Sequence, residues 1–80
     1  MKADEVRSRE DLVRFLTELS GEVRAGRVTV ANATTADLLE SASGWVEDMD
    51  GYFLHRGEEV PSAPSWQLIA MIFDASLVYE

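Results

Sequence analysis

The sequence lacks cysteine, which excludes disulfide bonds, thiolate catalysis and cysteine-ligated zinc sites. It also lacks a long apolar run: the longest, residues 68–73, spans six residues, against the ~20 that a membrane-spanning helix needs. The N-terminal residues contain no apolar stretch of the signal-peptide type. We therefore expect a cytoplasmic protein without a membrane segment. The 80 residues should form one small globular domain, residues 1–80, with residues 1–7 as a frayed N-terminus.

Basic residues are almost missing from the last two thirds of the chain. Residues 1–27 contain six acidic and six basic side chains, whereas residues 28–80 contain nine acidic side chains and one base, Arg56. The net charge of −8 therefore comes from residues 28–80 alone. This charge disfavours nucleic acids and anionic membranes as partners, and it favours a basic protein. Solubility is the alternative explanation for the acidity.

Three stripes of apolar residues at helical spacing predict a mainly α fold, a compact three-helix single domain. The first helix follows Ser8, a potential N-cap, and stops near Gly26. The third begins near Ser65 and is apolar on nearly all sides, so we expect it to be the most buried helix. The same pattern allows a homodimer through residues 66–78. The aromatic residues expected to fill the core are Phe15, Trp45, Trp66 and Phe73.

The second helix is expected to begin after Thr34 or Thr35 and to end in a turn at Asp50-Gly51. Two short segments, residues 28–30 and 52–54, are rich in residue types that favour strands. The sequence leaves open whether they pair as a small two-stranded β ribbon.

The second helix has a strongly acidic face. Four carboxylates share it at helical spacing, and Asp50 with Tyr52 is expected to extend it beyond the turn. Tyr52 and the edge of Trp45 are the aromatic anchors that a partner would contact. The candidate partner-binding residues are Asp37, Glu40, Trp45, Glu47, Asp48, Asp50 and Tyr52.

The residues that carry chemistry do not form a recognisable catalytic, metal or cofactor site. The segment around Asp48, Asp50 and Gly51 resembles the middle of a calcium loop, but the first and the bidentate ligand positions lack carboxylates. His55 is the only histidine, and the five glycines never cluster into a phosphate-binding loop. We therefore predict a protein that is not an enzyme and that needs no cofactor.

A set of residues in fixed order resembles a family of short, acidic bacterial proteins known only as a domain of unknown function. These residues are Asn32-Ala33-Thr34, Leu38-Leu39-Glu40, Trp45, Asp48, Gly51-Tyr52-Phe53, Pro64-Ser65-Trp66, Ala70, Ala75 and Tyr79-Glu80. The resemblance covers residues 8–80. It implies one compact domain, and it supplies no activity, cofactor or partner.

Two functions fit these observations. The first is a small acidic protein-binding module, an inhibitor, immunity-type or regulatory partner of a basic protein. The alternative is a self-associating structural domain without catalytic activity, for which the apolar third helix is the support.

Overall fold

Three α-helices and one 3-10 turn make up the secondary structure of residues 1–79, the part of the chain that the computed structural model describes. The turn is Ala3–Glu5, and the helices are α1 (Arg9–Arg24), α2 (Thr35–His55) and α3 (Trp66–Ser76). No β-strand occurs within these residues. The mainly α, three-helix fold predicted from the sequence is confirmed. None of the helices in the described residues is long and apolar enough to cross a membrane.

Each helix is preceded by an N-cap residue with a hydroxyl side chain. Ser8, Thr34 and Ser65 are the N-cap residues of α1, α2 and α3. Each accepts a hydrogen bond, at 3.0–3.1 Å, from the backbone N–H three residues further on. These bonds occupy donors that have no partner within the helix, so the three starts predicted from the sequence are confirmed.

The predicted end of the second helix is wrong. α2 continues through Asp50-Gly51 to His55, so residues 52–54 are helical and the β ribbon with residues 28–30 does not form. Continuing the helix buries Phe53, and this burial stabilises the fold by about 1.5–3 kcal/mol. The gain outweighs the cost of about 1 kcal/mol for placing Gly51 inside a helix. The helix stops instead before Gly57, whose φ of 70° lets the N–H of Glu58 bond to the carbonyl of Phe53 at 2.9 Å.

α3 lies between the other elements and contacts all of them. On one side is the α1 core, which consists of Val6, Phe15 and Ala70. On another side is the α2 core, which consists of Trp45, Phe53 and Leu68. Within residues 1–79, α1 and α2 make few direct contacts, and a cleft of about 1120 Å³ lies between them. The two separate neighbours of α3 therefore account for part of its broad apolar surface.

Two of the four aromatic residues expected in the core are not there. Phe15 and Trp45 are buried as predicted, at 4% and 7% exposure, but Trp66 and Phe73 are 41% and 44% exposed. Both remain at the surface, although Ala70, one turn on from Trp66, is fully buried in the α1 core. Helical periodicity identifies an apolar face but does not say whether another element covers it.

The N-terminal residues are packed, so the expectation of a frayed segment at residues 1–7 is wrong. Val6 has no exposed surface, and the 3-10 turn contacts α3. The side chain of Gln67 donates to the backbone carbonyl of Asp4 at 2.7 Å, and the amino group of Met1 pairs with Glu18 at 2.9 Å. Val6 belongs to no helical stripe, so the sequence pattern did not mark it as a core residue.

Candidate functional site

A groove of about 570 Å³ runs along one side of α2. Helical spacing of three and four residues places four carboxylates on this side. The four are Asp37, Glu40, Glu47 and Asp48, and all of them line the groove. The structure therefore brings together four of the seven candidate partner-binding residues.

The opposite wall of the groove includes Tyr79, from the C-terminal end of the described chain. The Tyr79 hydroxyl donates a hydrogen bond to the carboxylate of Asp48. Its ring lies against α2 at Gly44, where an added Cβ would be 3.0 Å from Tyr79 Cε2. A residue larger than glycine at position 44 would displace the ring, so Gly44 is what allows the two walls to approach.

Further hydrogen bonds hold Tyr79 in this place. The hydroxyl of Ser41, a buried residue of α2, lies within hydrogen-bond distance of the carbonyls of Ser76, at 2.7 Å, and Tyr79. The backbone N–H of Ala31 donates to the carbonyl of Leu77 at 2.7 Å. The residues before α2 and after α3 are thus joined to each other beside the groove.

The hydrogen bond to Asp48 also changes the acidity of Tyr79. It raises the pKa of the Tyr79 phenol above its ordinary value, and partial desolvation and the charge of Asp48 act in the same direction. The Tyr79 phenol is protonated at neutral pH and donates to Asp48, and the raised pKa extends this protonated range to higher pH.

The groove presents hydrogen-bond acceptors without any matching cation. Among its lining residues, all within the described chain, there is no lysine or arginine. Asn32 also lines the groove, and its side-chain oxygen is buried without a hydrogen-bond partner in residues 1–79. Arg56, the one base after residue 27, instead pairs with Glu58 at 3.2 Å. The four carboxylates thus repel one another, and no basic side chain among the residues that line the groove offsets this repulsion.

A family model described as "Family of unknown function (DUF7660)" matches residues 8–80. The chain belongs to this family. The match confirms the resemblance seen in the sequence and spans α1, α2 and α3. It leaves out residues 1–7 and so does not include Val6, which completes the α1 core in this member of the DUF7660 family. No curated protein and no solved structure matches the chain.

The other three candidate residues of this DUF7660 member lie elsewhere. Trp45 is buried in the α2 core, which leaves little of its edge for a partner. Tyr52 faces the cleft, where its ring packs 5.6 Å from that of Trp45 and 5.2 Å from the guanidinium of Arg56. The expectation that Asp50 and Tyr52 extend one face is wrong, because residues two positions apart in an α-helix are separated by about 200° around the helix axis.

The cleft between α1 and α2 is larger than the groove but has a different electrostatic character. Its rim carries both signs of charge, largely as ion pairs. Arg27 pairs with Glu22 at 2.7 Å, and Met1 pairs with Glu18. A ligand selected by charge would therefore find little net attraction there.

Three residues missed in the sequence build the groove: Asn32, Ser41 and Gly44. Of these three, only Gly44 could have been linked to the groove from the sequence, because it interrupts the acidic stripe at helical spacing. The calcium-like residues Asp48, Asp50 and Gly51 lie inside α2 rather than in a loop. Within the described residues no cluster of His, Asp and Glu is arranged to hold a metal ion.

Proposed function

We propose that this protein is a small acidic binding module that docks a basic protein partner through the groove on α2. In this role it acts as an inhibitor, immunity-type or regulatory partner, without catalysis of its own, in the cytoplasm. The observation that carries the proposal is the convergence of four carboxylates on one groove whose lining contains no basic residue.

The electrostatics of the groove support this role. Repulsion among the carboxylates destabilises the free protein slightly, and a partner's lysine or arginine side chains relieve it on binding. Long-range attraction between the net charge of −8 and a basic surface also speeds association. The interaction should therefore weaken as salt is added.

A charge-reversal experiment can test whether a partner binds through the groove. The groove variant carries Glu40→Lys, Glu47→Lys and Asp48→Lys, which changes the net charge from −8 to −2, since each substitution adds two. We expect the immobilised wild-type protein to capture a basic protein from host lysate at low salt. The groove variant should lose that protein, mainly through slower association.

A matched control separates the groove from net charge. Asp50→Lys, Glu58→Lys and Glu59→Lys produce the same net charge, and none of these residues lines the groove. The control should retain the partner, and circular dichroism should show both variants to be helical. If the groove variant captured as much of the partner as the wild-type protein, with the same salt dependence, this docking role would be excluded. Loss of the partner in both triple variants would assign binding to net charge instead.

A further inference from the structure

The four carboxylates of the groove are not equivalent. In the part of the chain that the structure describes, Asp48 is the one of the four whose side chain accepts a hydrogen bond, and the donor is the phenol of Tyr79. The carboxylates of Asp37, Glu40 and Glu47 are exposed at the groove and accept no such bond from the described residues. One carboxylate is therefore restrained, whereas the other three keep their rotamer freedom.

The donor of this hydrogen bond is itself held at several points. The backbone N–H of Tyr79 donates to the carbonyl of Ala75 at 3.0 Å, and the Tyr79 carbonyl lies within hydrogen-bond distance of the Ser41 hydroxyl. The Tyr79 ring lies against α2 at Gly44 and packs against the α2 core. Because both the backbone and the ring of Tyr79 are held, its phenol restrains Asp48 rather than following it.

The phenol uses only part of the hydrogen-bonding capacity of Asp48. The Tyr79 hydroxyl bonds to one oxygen, Oδ2, and the other oxygen, Oδ1, accepts no hydrogen bond from the described residues. An ionised carboxylate has about four acceptor sites, so Asp48 can still bind a charged donor. Because the phenol is neutral, it orients the carboxylate without neutralising its charge, which a lysine or arginine in the same place would do.

We propose that Tyr79 is a positioning residue for partner binding, and that it holds Asp48 as a preorganised acceptor for a lysine or arginine side chain of the partner. This role rests on the docking function proposed for the groove. A side chain that is already ordered loses less conformational entropy when the partner binds, which strengthens binding. The other three carboxylates supply charge, but they must be ordered during binding.

The orientation of Asp48 can be measured without any ligand. In the wild-type protein the two Hα–Hβ coupling constants of Asp48, measured by NMR, should differ clearly, as expected for a single χ1 rotamer. Tyr79→Phe removes only the hydroxyl and keeps the ring at Gly44, so the two couplings should move toward a common average. Couplings that are already averaged in the wild-type protein, or that Tyr79→Phe leaves unchanged, would overturn the positioning role.

Binding to the groove is measured with acetylated tetralysine amide as the probe. Its dissociation constant follows from the amide chemical shifts of Ser43 and Gly44, which line the groove. Tyr79→Phe should weaken binding by about two- to fivefold, the cost of ordering one side chain. The matched control is Tyr52→Phe, the same change in the tyrosine that faces the cleft, and it should leave binding unchanged. Equal or tighter binding by Tyr79→Phe would contradict the proposal, and so would an equal loss in the control.

A double-mutant cycle shows whether Tyr79 acts through Asp48. Asp48→Ala should weaken binding of tetralysine, and adding Tyr79→Phe should then have no further effect. A further loss of the same size as in the wild-type background would mean that Tyr79 does not act through Asp48, and it would overturn the positioning role. If the wild-type protein does not bind tetralysine at the groove although Asp48 occupies one rotamer, the docking function is wrong, and the binding role of Tyr79 with it.

Discussion

The two sides of α3 are packed by different means. The α1 core has one aromatic residue and depends on Ala70, a small residue with no exposed surface, over which Val6 and Phe15 pack. The α2 core has two aromatic residues, Trp45 and Phe53, packed against Leu68. Residues near each end of the chain complete a different core: Val6 covers the first, and Tyr79 packs against the second. The comparison shows that α3 contributes a buried residue to each of two hydrophobic clusters.

The helices on the two sides, α1 and α2, also differ in how their charged side chains are arranged. On α1, acidic and basic side chains pair locally, as with Arg14 and Asp11 at 2.7 Å. On the groove side of α2, carboxylates gather without a base. Surface ion pairs add little stability, so the difference matters less for the fold than for what each surface attracts. This is why we assign the partner-binding role to α2.

Removing a core aromatic residue from either side should have the largest effect. Trp45→Ala and Phe15→Ala should each lower the free energy of unfolding by about 3–5 kcal/mol, out of about 4–12 kcal/mol for a chain of this length. Trp66→Ala is the control and should cost about 1 kcal/mol or less, because Trp66 is largely exposed. Urea denaturation measures all three. Since both cores depend on α3, one cooperative transition is expected, and two transitions would mean that the cores unfold independently.

Two valine-to-alanine substitutions test whether the N-terminal residues pack against the α1 core. Val6→Ala should cost about 2 kcal/mol, because it removes two fully buried methyl groups and leaves a cavity. Val13→Ala, on the exposed side of α1, should change the unfolding free energy by no more than about 0.5 kcal/mol. Equal melting temperatures for the two variants would show that residues 1–7 do not contribute to the core.

The approach of Tyr79 to α2 can be tested with two glycines of the same helix. Gly51→Ala should stabilise the protein by about 0.5–1 kcal/mol, because nothing lies within 4 Å of the added Cβ and alanine favours a helix. Gly44→Ala should gain less or lose stability, because the Tyr79 ring must move away. Thermal melts compare the two. An equal gain at both positions would mean that the ring does not rest on Gly44.

The smallest effect concerns the ionisation of Tyr79. In a Tyr52→Phe background Tyr79 is the only tyrosine, and its phenol should ionise above the ordinary pKa of about 10. Because the pKa is raised in the folded protein, the hydrogen bond stabilises the fold below pH about 10, and this contribution is lost as pH rises through the folded-state pKa. Ultraviolet absorbance of the phenolate follows the titration. Adding Asp48→Asn should bring the pKa back toward the ordinary value, and no difference between the two variants would remove Asp48 as the cause.

Much of the secondary structure could be predicted from the sequence because its determinants are local. An N-cap hydroxyl bonds to an N–H three residues away, and an amphipathic stripe repeats every three or four residues. Ser8, Thr34 and Ser65 therefore marked the helix starts correctly. The acidic face of α2 was predictable for the same reason, since its spacing lies within one helix.

The tertiary structure alone decided which surfaces are covered and where α2 ends. Asp50-Gly51 is locally a turn signal, but burial of Phe53 against α3 extends the helix beyond it. Trp66 and Phe73 are as apolar as Leu68 and Ala70, the buried apolar residues of α3, but they are left largely exposed. The second wall of the groove, Tyr79, lies 31 residues from Asp48 in the chain. Local periodicity carries no information about contacts at such separations, because burial depends on which distant segments pack together in space.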